Sequence, residues 1–401
     1  MYNRVIVGVL FVGSFFGCSK EDETPKIESE IEAISITTSQ ATLIDDGTLK
    51  STDYDEIGFV YSDNPEVTEL TGNVILSECT NCTNSYAVAK DLSPSTQYYF
   101  KQYGKNGDKY VLGDEYSFST YSPKSMVLRA GNETDIDSRP SIHSNYWSSF
   151  EISDGKIFSF GGANVQDTYI KEVWKYELIF DKWSKVTSSP EELWGNPGTF
   201  TENDDIYVIT TPYDQANKVF KYSTSSNSWS AKNDFPDFEI DSQEFMSFKY
   251  GNTSYILVNG QYQKKYIYTY NSSSDTWELY HEIDLLSFGN LYLPKGVVIG
   301  NKLYFQPVDY SPRLFEFDIE NKILFQKNDL PDLGQKTQLV AGYEDKLLLA
   351  SSDGKISLLD ITSFDNELIF ETGGLYFRNI FIVDDRILIV GDQGVISELL
   401  L

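Results

Sequence analysis

The sequence predicts an all-β protein in which a small β-sandwich is followed by a six-bladed β-propeller. From residue 142 onward, a polar two-residue turn followed by a short apolar strand recurs six times, about every 40 to 50 residues. Asp, Asn and Gly tolerate the positive φ angles of tight turns, so each copy indicates a β-hairpin. Hairpins repeated at this spacing are typical of propeller blades. The turn pairs are Asp154-Gly155, Asp204-Asp205, Gly251-Asn252, Gly300-Asn301, Glu344-Asp345 and Asp384-Asp385.

A second observation is a tyrosine followed seven residues later by a tryptophan. This spacing occurs in three copies, and a fourth keeps it with apolar substitutes: Tyr176 and Trp183, Tyr222 and Trp229, Tyr270 and Trp277, Phe317 and Leu324. Each pair stands on two runs joined by a polar turn, so we expect it to face the packing between neighbouring blades. In the first copy the second strand ends in FSFGG, with Gly161 and Gly162, before this aromatic pair. The arrangement resembles the kelch repeat, and the resemblance implies a kelch-type β-propeller.

The third observation concerns closure of the propeller. The sixth copy supplies three strands before the sequence given ends, and an open seam would expose strand edges to aggregation. The segment Ser125–Ala130 (SMVLRA), which precedes the first copy, can supply the missing outer strand. We therefore predict that residues 121–401 form the propeller and that this N-terminal strand, 125–130, closes it.

The N-terminal residues carry a targeting sequence. Arg4 precedes a 12-residue apolar run, which is too short to span a bilayer and has the layout of a secretory signal peptide. Gly17-Cys18 resembles the cleavage box of bacterial lipoproteins, and the acidic stretch after Lys20 resembles the surface-export signal of Bacteroidota lipoproteins. The resemblance implies a signal peptide at 1–17, lipidation of Cys18, and an acidic tether at 18–26. We expect an outer-membrane protein held at the cell surface by its lipid anchor alone, the alternative being a free periplasmic protein.

Residues 27–120 contain short β-like runs separated by polar turns and predict the small sandwich. Its segment Leu92–Tyr98 resembles the L-x-P-x-T-x-Y motif of fibronectin type III domains. The resemblance implies that Tyr98 marks the corner at which such sandwiches fold back on themselves. We expect this fibronectin type III-like domain to be a spacer, and a separate binding function is the alternative.

Charge and cysteine content exclude several classes of function. The net charge of −28 repels nucleic acid and anionic headgroups, so we expect no nucleic-acid partner. Cys79 and Cys82 form a C-x-x-C without a second pair, and the histidines are His143 and His281 alone. A metal site needs four good ligands, so we predict no metal and no cofactor. A local disulfide between Cys79 and Cys82 is the favoured interpretation, because exported proteins meet oxidising conditions.

Some kelch-type propellers are enzymes, so we ask whether this sequence contains the residues that their reactions require. A galactose-oxidase-like copper cofactor requires a cysteine, and none follows Cys82. A sialidase site needs three arginines and complete Asp boxes, and the propeller has few arginines and no complete box. A sialic-acid mutarotase needs only a few polar groups and stays open, as does glycoside hydrolysis by paired carboxylates that the sequence does not locate.

The candidate ligand site lies where the connections between blades, and those between second and third strands, converge on the central channel. Their aromatic, amide and acidic side chains suit a sugar, which offers apolar ring faces and hydroxyls. The candidate residues are Tyr146, Trp147, Trp194, Asn196, Tyr213, Asp214, Glu244, Tyr262, Asn290, Tyr292, Tyr310, Tyr376 and Arg378.

The sequence therefore favours a binding protein that recognises a glycan or an extracellular protein without catalysis. A carbohydrate-active enzyme, such as a mutarotase, an epimerase or a glycoside hydrolase, is the first alternative. A structural subunit of an outer-membrane complex, for example one engaged in transport, is the second.

Overall fold

The structure is a computed structural model that describes residues 31–45, 53–78, 85–130, 144–163, 171–193, 197–210, 217–236, 245–259, 264–284, 296–306, 312–333, 337–371, 377, 379–383, 386–391 and 394–400. The elements in these ranges are β-strands, which confirms the all-β prediction. Within the same ranges, no helix has the length and apolarity needed to cross a bilayer.

The chain divides into two compact units. The first comprises Met1–Glu32, Leu43–Ala87 and Tyr98–Phe118, and the second comprises Ala33–Thr42, Val88–Gln97 and Ser119–Leu401. The predicted boundaries at 27 and 120 remain predictions, because this division interleaves the two segments of chain.

The N-terminal strands form two sheets, one of order β1-β2-β5 and an antiparallel one of order β4-β3-β6-β7, in which β8 also pairs β6. They are Ile31–Ile34 (β1), Ala41–Asp45 (β2), Glu56–Ser62 (β3), Asn73–Leu76 (β4), Tyr86–Ala89 (β5), Gln97–Asn106 (β6), Lys109–Leu112 (β7) and Tyr116–Ser119 (β8). Aromatic rings fill the core of the first unit. Phe100 meets Phe118 edge-on, and Tyr98 stacks on Phe118 with ring centroids 5.7 Å apart. The fibronectin likeness stays a prediction.

The remaining strands form six four-stranded antiparallel sheets, the blades of a β-propeller. Blade 1 contains Ser144–Ser153 (β10), Lys156–Ala163 (β11), Glu172–Glu177 (β12) and Lys182–Ser188 (β13). Blade 2 contains Gly198–Glu202 (β14), Asp205–Ile209 (β15), Val219–Ser223 (β16) and Ser228–Lys232 (β17). Blade 3 contains Phe245–Tyr250 (β18), Thr253–Asn259 (β19), Lys264–Asn271 (β20) and Thr276–Asp284 (β21).

Blades 4 to 6 repeat this arrangement. Blade 4 contains Gly296–Ile299 (β22), Lys302–Phe305 (β23), Phe315–Asp318 (β24) and Ile323–Gln326 (β25). Blade 5 contains Gln338–Tyr343 (β26), Lys346–Ala350 (β27), Lys355–Asp360 (β28) and Asn366–Glu371 (β29). Blade 6 contains Asn379–Val383 (β30), Arg386–Val390 (β31), Ile396–Leu400 (β32) and, as its outer strand, Ser125–Ala130 (β9).

The pairing of β9 with β32, here called the seam, closes the propeller as the sequence predicts. Ser125 pairs with Leu400 at one end and Ala130 with Ile396 at the other. Blade 6 also packs against blade 1, because Leu388 and Val390 share a core cluster with Tyr176 and other residues of blade 1. Antiparallel closure of this kind leaves blade 6 without an open outer edge on β32.

The Tyr–Trp pairs pack between blades, as predicted. Within each blade the two residues are cross-strand partners, and their ring centroids lie 5.4, 5.1 and 4.6 Å apart in blades 1, 2 and 3. Each pair packs against the preceding blade. Thus Tyr270 lies edge-on to Phe200 and Tyr207 of blade 2, with centroids 5.7 and 5.0 Å away. We call Tyr176, Tyr222, Tyr270, Phe317 and Leu359 the wedge residues. Four of them pair with the second residue of the second strand of their own blade, and Tyr270 directly follows Thr269, which pairs with Tyr255 of that strand.

One predicted turn differs from the structure. The turn of blade 2 is Asn203-Asp204 rather than Asp204-Asp205, and Asp205 is already the first residue of β15. Asn203 and Asp204 have φ angles of 51° and 63°, and such left-handed pairs suit the twist of two-residue hairpins. Asn203, Asp204 and Asp205 all favour turns, so the sequence alone does not distinguish the two registers.

Candidate functional site

The two ends of the propeller are built differently. At one end, here called the turn face, first and second strands are joined by two-residue turns such as 154–155 and 251–252. Third and fourth strands are joined there by connections of four or five residues, such as 224–227 and 361–365. Turns this short leave little backbone with which to surround a ligand.

The opposite end, here called the loop face, carries the connections between blades and between second and third strands. Several of these are long, for example 189–197, 233–244 and 285–295. First strands of successive blades also lie side by side around the centre. Longer connections arranged around a central channel make a concave surface possible, so the loop face is the candidate site.

An irregularity in the innermost strand of blade 1 lies at the loop face. Ser148 pairs with Gly161, but Ser144 pairs with Ala163, so residues 145–147 stand opposite Gly162 alone. Gly161 and Gly162 have φ angles of 68° and 106°, which side chains other than glycine rarely adopt. Bulges of this kind redirect side chains and are common next to functional sites. Two predicted site residues, Tyr146 and Trp147, lie in this bulged stretch.

The other candidate residues lie outside the described residues. They are Trp194, Asn196, Tyr213, Asp214, Glu244, Tyr262, Asn290, Tyr292, Tyr310, Tyr376 and Arg378, together with Cys18, Cys79 and Cys82. Of Tyr146 and Trp147, the structure describes the backbone only. Their roles as ligand, lipidation and disulfide residues therefore remain predictions.

Asn379 is a loop-face residue that the sequence analysis missed. It is the first residue of β30, the innermost strand of blade 6, and pairs with Val390. Its Oδ1 atom is buried and has no hydrogen-bond partner among the described residues. A buried amide oxygen usually has a partner, so one without any is a candidate acceptor for a ligand hydroxyl. Its position directly after Arg378 in the segment GLYFRN was the sequence feature that could have identified it.

Two ion pairs near the loop face were also missed. Glu172 accepts a hydrogen bond from Trp174 Nε1 at 3.0 Å and lies 2.5 Å from Lys185 Nζ. In the next blade, Glu191 lies 2.6 Å from Lys218 Nζ and joins the connection after blade 1 to the start of β16. Partly exposed pairs of this kind stabilise the fold by at most about 1 kcal/mol.

His281, Tyr222 and Tyr268 are titratable residues whose side chains pack inside the fold. His281 lies on β21 and stacks on Phe317 with centroids 5.6 Å apart, and burial together with Lys322 lowers its pKa. Burial raises the pKa of Tyr222 and of Tyr268 to about 12, so both phenols stay protonated at neutral pH. In the part of the chain that the structure describes, no three His, Cys, Asp or Glu residues gather as metal ligands.

Comparison with known proteins finds a curated relative that is similar to part of this chain. A stretch of 148 residues is 26% identical to Beta-scruin of Limulus polyphemus, and it covers 32% of this chain and 16% of Beta-scruin. The chain therefore spans about one sixth of that relative's length. No family model matches.

Two solved structures match about two thirds of this chain at low similarity. The structure of YjhT has a TM-score of 0.46 and 14% identity, covering 65% of this chain and 95% of YjhT. The crystal structure of BamB from Moraxella catarrhalis has a TM-score of 0.37 and 10% identity, covering 68% of this chain and 97% of BamB. Six four-stranded antiparallel blades, wedged by the Tyr–Trp repeat, give the chain a kelch-like β-propeller fold.

Proposed function

We propose that this protein binds a glycan at the loop face of its propeller, without catalysis, at the outer surface of the cell. The glycan is held by aromatic side chains that stack on sugar rings and by amide and acid groups that bond hydroxyls. A lipid on Cys18 attaches the protein to the outer membrane, and the N-terminal sandwich acts as a spacer.

The observation that carries this proposal is the bulge at residues 145–147. It lies in an innermost strand, at the face with the long connections, and it contains both Tyr146 and Trp147. A regular strand would alternate these side chains between the two neighbouring blade interfaces. The two extra residues interrupt that alternation within the bulge, so a bulge at two adjacent aromatics is more useful for a ligand site than for packing.

The chemistry of the loop face favours a sugar over other ligands. Trp147 lies in the bulge at the start of β10, Trp194 stands in the sequence between β13 and β14, and the buried Asn379 Oδ1 supplies an acceptor on the innermost strand of blade 6. Aromatic faces combined with neutral hydrogen-bonding groups match the alternating apolar and hydroxyl surfaces of a pyranose. The strongly acidic composition opposes a polyanionic ligand.

The test is a glycan-array screen followed by calorimetry on the chain from Ser19 onward, which lacks the lipidated cysteine. We expect a double Trp147→Ala/Trp194→Ala variant to bind about tenfold more weakly or worse, because one stacked ring contributes about 1 kcal/mol or more. The matched control is Trp229→Phe, which alters a tryptophan that packs against Phe160 between blades. Equal binding by the wild type and the double variant would reject the loop face.

Catalysis is tested on the same preparation. The bound oligosaccharide is incubated with the protein, and its anomeric and reducing-end NMR signals are followed. We expect no change in either signal; a shifted anomeric exchange rate or a new reducing end would replace binding with an enzymatic function.

The anchor has its own test. Full-length protein is expressed with a labelled fatty acid, and we expect label and membrane association in the wild type and neither in Cys18→Ala. A Cys79→Ala variant serves as the cysteine control and should keep both. Retention of the label by Cys18→Ala would contradict the proposed lipidation site.

A further inference from the structure

The seam contains a buried cluster of charged side chains that binding at the loop face does not use. We call Arg129, Tyr176, Asp181, Arg386 and Glu398 the seam cluster. Side-chain exposure is 4% for Arg129, 7% for Arg386 and 1% for Glu398. Charges so deeply buried require paired partners, because removing an ion from water without one is very costly.

The partners come from both sides of the seam. Arg386 holds Glu398 with two hydrogen bonds, from Nε and Nη2, each 2.8 Å long. Arg129, on the closing strand β9, donates from Nε to the same carboxylate at 2.6 Å. Both guanidinium groups also lie 3.6 Å from Asp181, which in turn accepts a hydrogen bond from Tyr176 Oη at 2.9 Å. Blade 1, blade 6 and β9 therefore share one ionic network.

A bulge brings Arg129 into this network. Ile396 pairs with Ala130 and Ser397 with Leu128, so Arg129 is the extra residue. Outer strands of blades 1, 3 and 5 are irregular at the corresponding place, where the unpaired residues are Val186, Tyr280 and Ile369. Those residues are apolar or aromatic. The seam alone uses this bulge, among the described blades, to insert a cation.

A segment far earlier in the chain completes the cluster. Arg129 Nη2 donates a hydrogen bond to the carbonyl of Ile36 at 2.5 Å. Ser35 Oγ donates to the carbonyl of Leu178 at 2.6 Å, and Arg386 Nη1 donates to that same carbonyl at 3.2 Å. The amide of Tyr121 donates to Thr37 O at 3.0 Å. Residues 35–37 thus contact both the closing strand and the blade 1 turn that holds Asp181.

We propose that residues 35–37 lock the seam of the propeller, so that β9 separates from β32 only after this segment detaches. Separation of β9 with the segment in place would leave the guanidinium of Arg129 without Glu398 while its other contacts persist. Release of the segment first removes the Ile36 and Ser35 contacts and admits water to the cluster. The residues ahead of the propeller thereby control where and when the ring opens.

The test is hydrogen exchange on the full chain, read from peptides that cover Ser125–Ala130 and Ile396–Leu400. In Ser35→Ala we expect exchange at the seam to rise about fivefold, since one hydrogen bond to a buried carbonyl is lost. The matched control is Ser153→Ala, because Ser153 Oγ also donates to a backbone carbonyl across a blade boundary, that of Asp204 at 2.7 Å. This control should raise exchange between blades 1 and 2 and leave β9 unchanged.

A second pair of variants measures how much the charge of Arg129 contributes to the stability of the seam. Arg129→Met removes the cation and keeps the stem, and we expect at least tenfold faster exchange at the seam than in wild type. Lys185→Met is its control, since Lys185 is also an outer-strand cation paired with a glutamate, but with 47% of its side chain exposed. Should Arg129→Met fail to fold, Ser35→Ala decides alone. Unchanged exchange at β9 in Ser35→Ala, or an equal rise in every blade, would overturn the proposed lock.

Discussion

Blades 1 to 3 and blades 4 to 5 use the same hairpin geometry with different side chains. The wedge residues are Tyr176, Tyr222 and Tyr270 in the first group, and Phe317 and Leu359 in the second. The residue five positions later has a positive φ angle in all five blades, between 47° and 64°. In the first group it is Asp181, Asn227 or Asp275, and in the second it is Lys322 or Phe364.

The difference in the turn residue follows from the hydroxyl group of the wedge tyrosines. Each wedge tyrosine donates its hydroxyl to the acid or amide five residues on, at 2.9, 2.8 and 2.6 Å for Tyr176, Tyr222 and Tyr270. Phe317 and Leu359 have no hydroxyl, so the turn position is free to hold Lys322 or Phe364. The backbone therefore requires a residue with a positive φ angle at this turn, whereas the wedge side chain determines whether that residue must accept a hydrogen bond.

The largest effect is expected at the junction of blade 6 with blade 1, where the first of the tyrosine-wedged blades packs against blade 6. Arg386→Met removes a bidentate partner of Glu398 and leaves that carboxylate buried and partly unpaired. We expect the free energy of unfolding to fall by about 3–5 kcal/mol in urea titrations. Lys185→Met, at an exposed ion pair, should cost less than about 1 kcal/mol. Similar losses in the two variants would contradict a special role for the buried junction.

The next test transfers the tyrosine arrangement to the second group. Phe317 is fully buried, so Phe317→Tyr places a hydroxyl near Lys322, which cannot accept it. We expect a loss of about 1–3 kcal/mol from the unsatisfied group. In a Lys322→Asp background the same substitution should cost much less, because the aspartate restores the partner found in blade 3. An equal cost in both backgrounds, measured by urea unfolding, would break the proposed coupling.

A smaller effect is expected from removing one hydroxyl in the first group. Tyr222→Phe loses the hydrogen bond to Asn227 Oδ1 and should lower the free energy of unfolding by about 1 kcal/mol. Asn227→Ala leaves the buried hydroxyl unpaired, so it should cost more than the Phe substitution. In the double variant the two losses should not add, and additive losses would show that the two side chains act independently.

The smallest expected difference is confined to alkaline pH. Burial raises the pKa of Tyr222 to about 12, above the value of about 10 in an unfolded chain. The stabilisation linked to this tyrosine is therefore complete below about pH 10 and is lost as the pH rises toward 12. Wild type should lose stability more steeply than Tyr222→Phe across that interval, as judged by urea midpoints. Parallel pH profiles would indicate that Tyr222 ionises in the folded protein as readily as in the unfolded one.

The repeat made the architecture predictable from the sequence. Turn spacing gave the blades, the Tyr–Trp spacing gave the packing between blades, and the fourth strand missing from the sixth copy pointed to Ser125–Ala130. These features follow from the burial of apolar residues and from turn preferences, both of which can be judged from the local sequence. The Asp or Asn five residues after each wedge tyrosine was visible in the same segments, yet its role required the turn geometry to bring Asn227 back to Tyr222.

The seam cluster could not be predicted in this way. Its partners are separated by up to 269 residues, as are Arg129 and Glu398, and no local pattern links them. The bulge that redirects Arg129 is a register shift of one residue in an otherwise ordinary strand. For the loop face, side-chain chemistry suggested the ligand class, but the orphaned Oδ1 of Asn379 became evident only from burial in three dimensions.

Because β9 is antiparallel to β32, the route by which the chain enters the propeller has a mechanical consequence. Once residues 35–37 have detached, a pull on the residues before Ser125 acts on the pairing with Leu400 and peels the strand off one hydrogen bond at a time. Peeling is a low-force process until it reaches Arg129, whose bonds to Glu398 must break together with the strand pairing. Under the lipid anchoring at Cys18 proposed above, a pull on the N-terminus would therefore meet its main resistance at that single arginine.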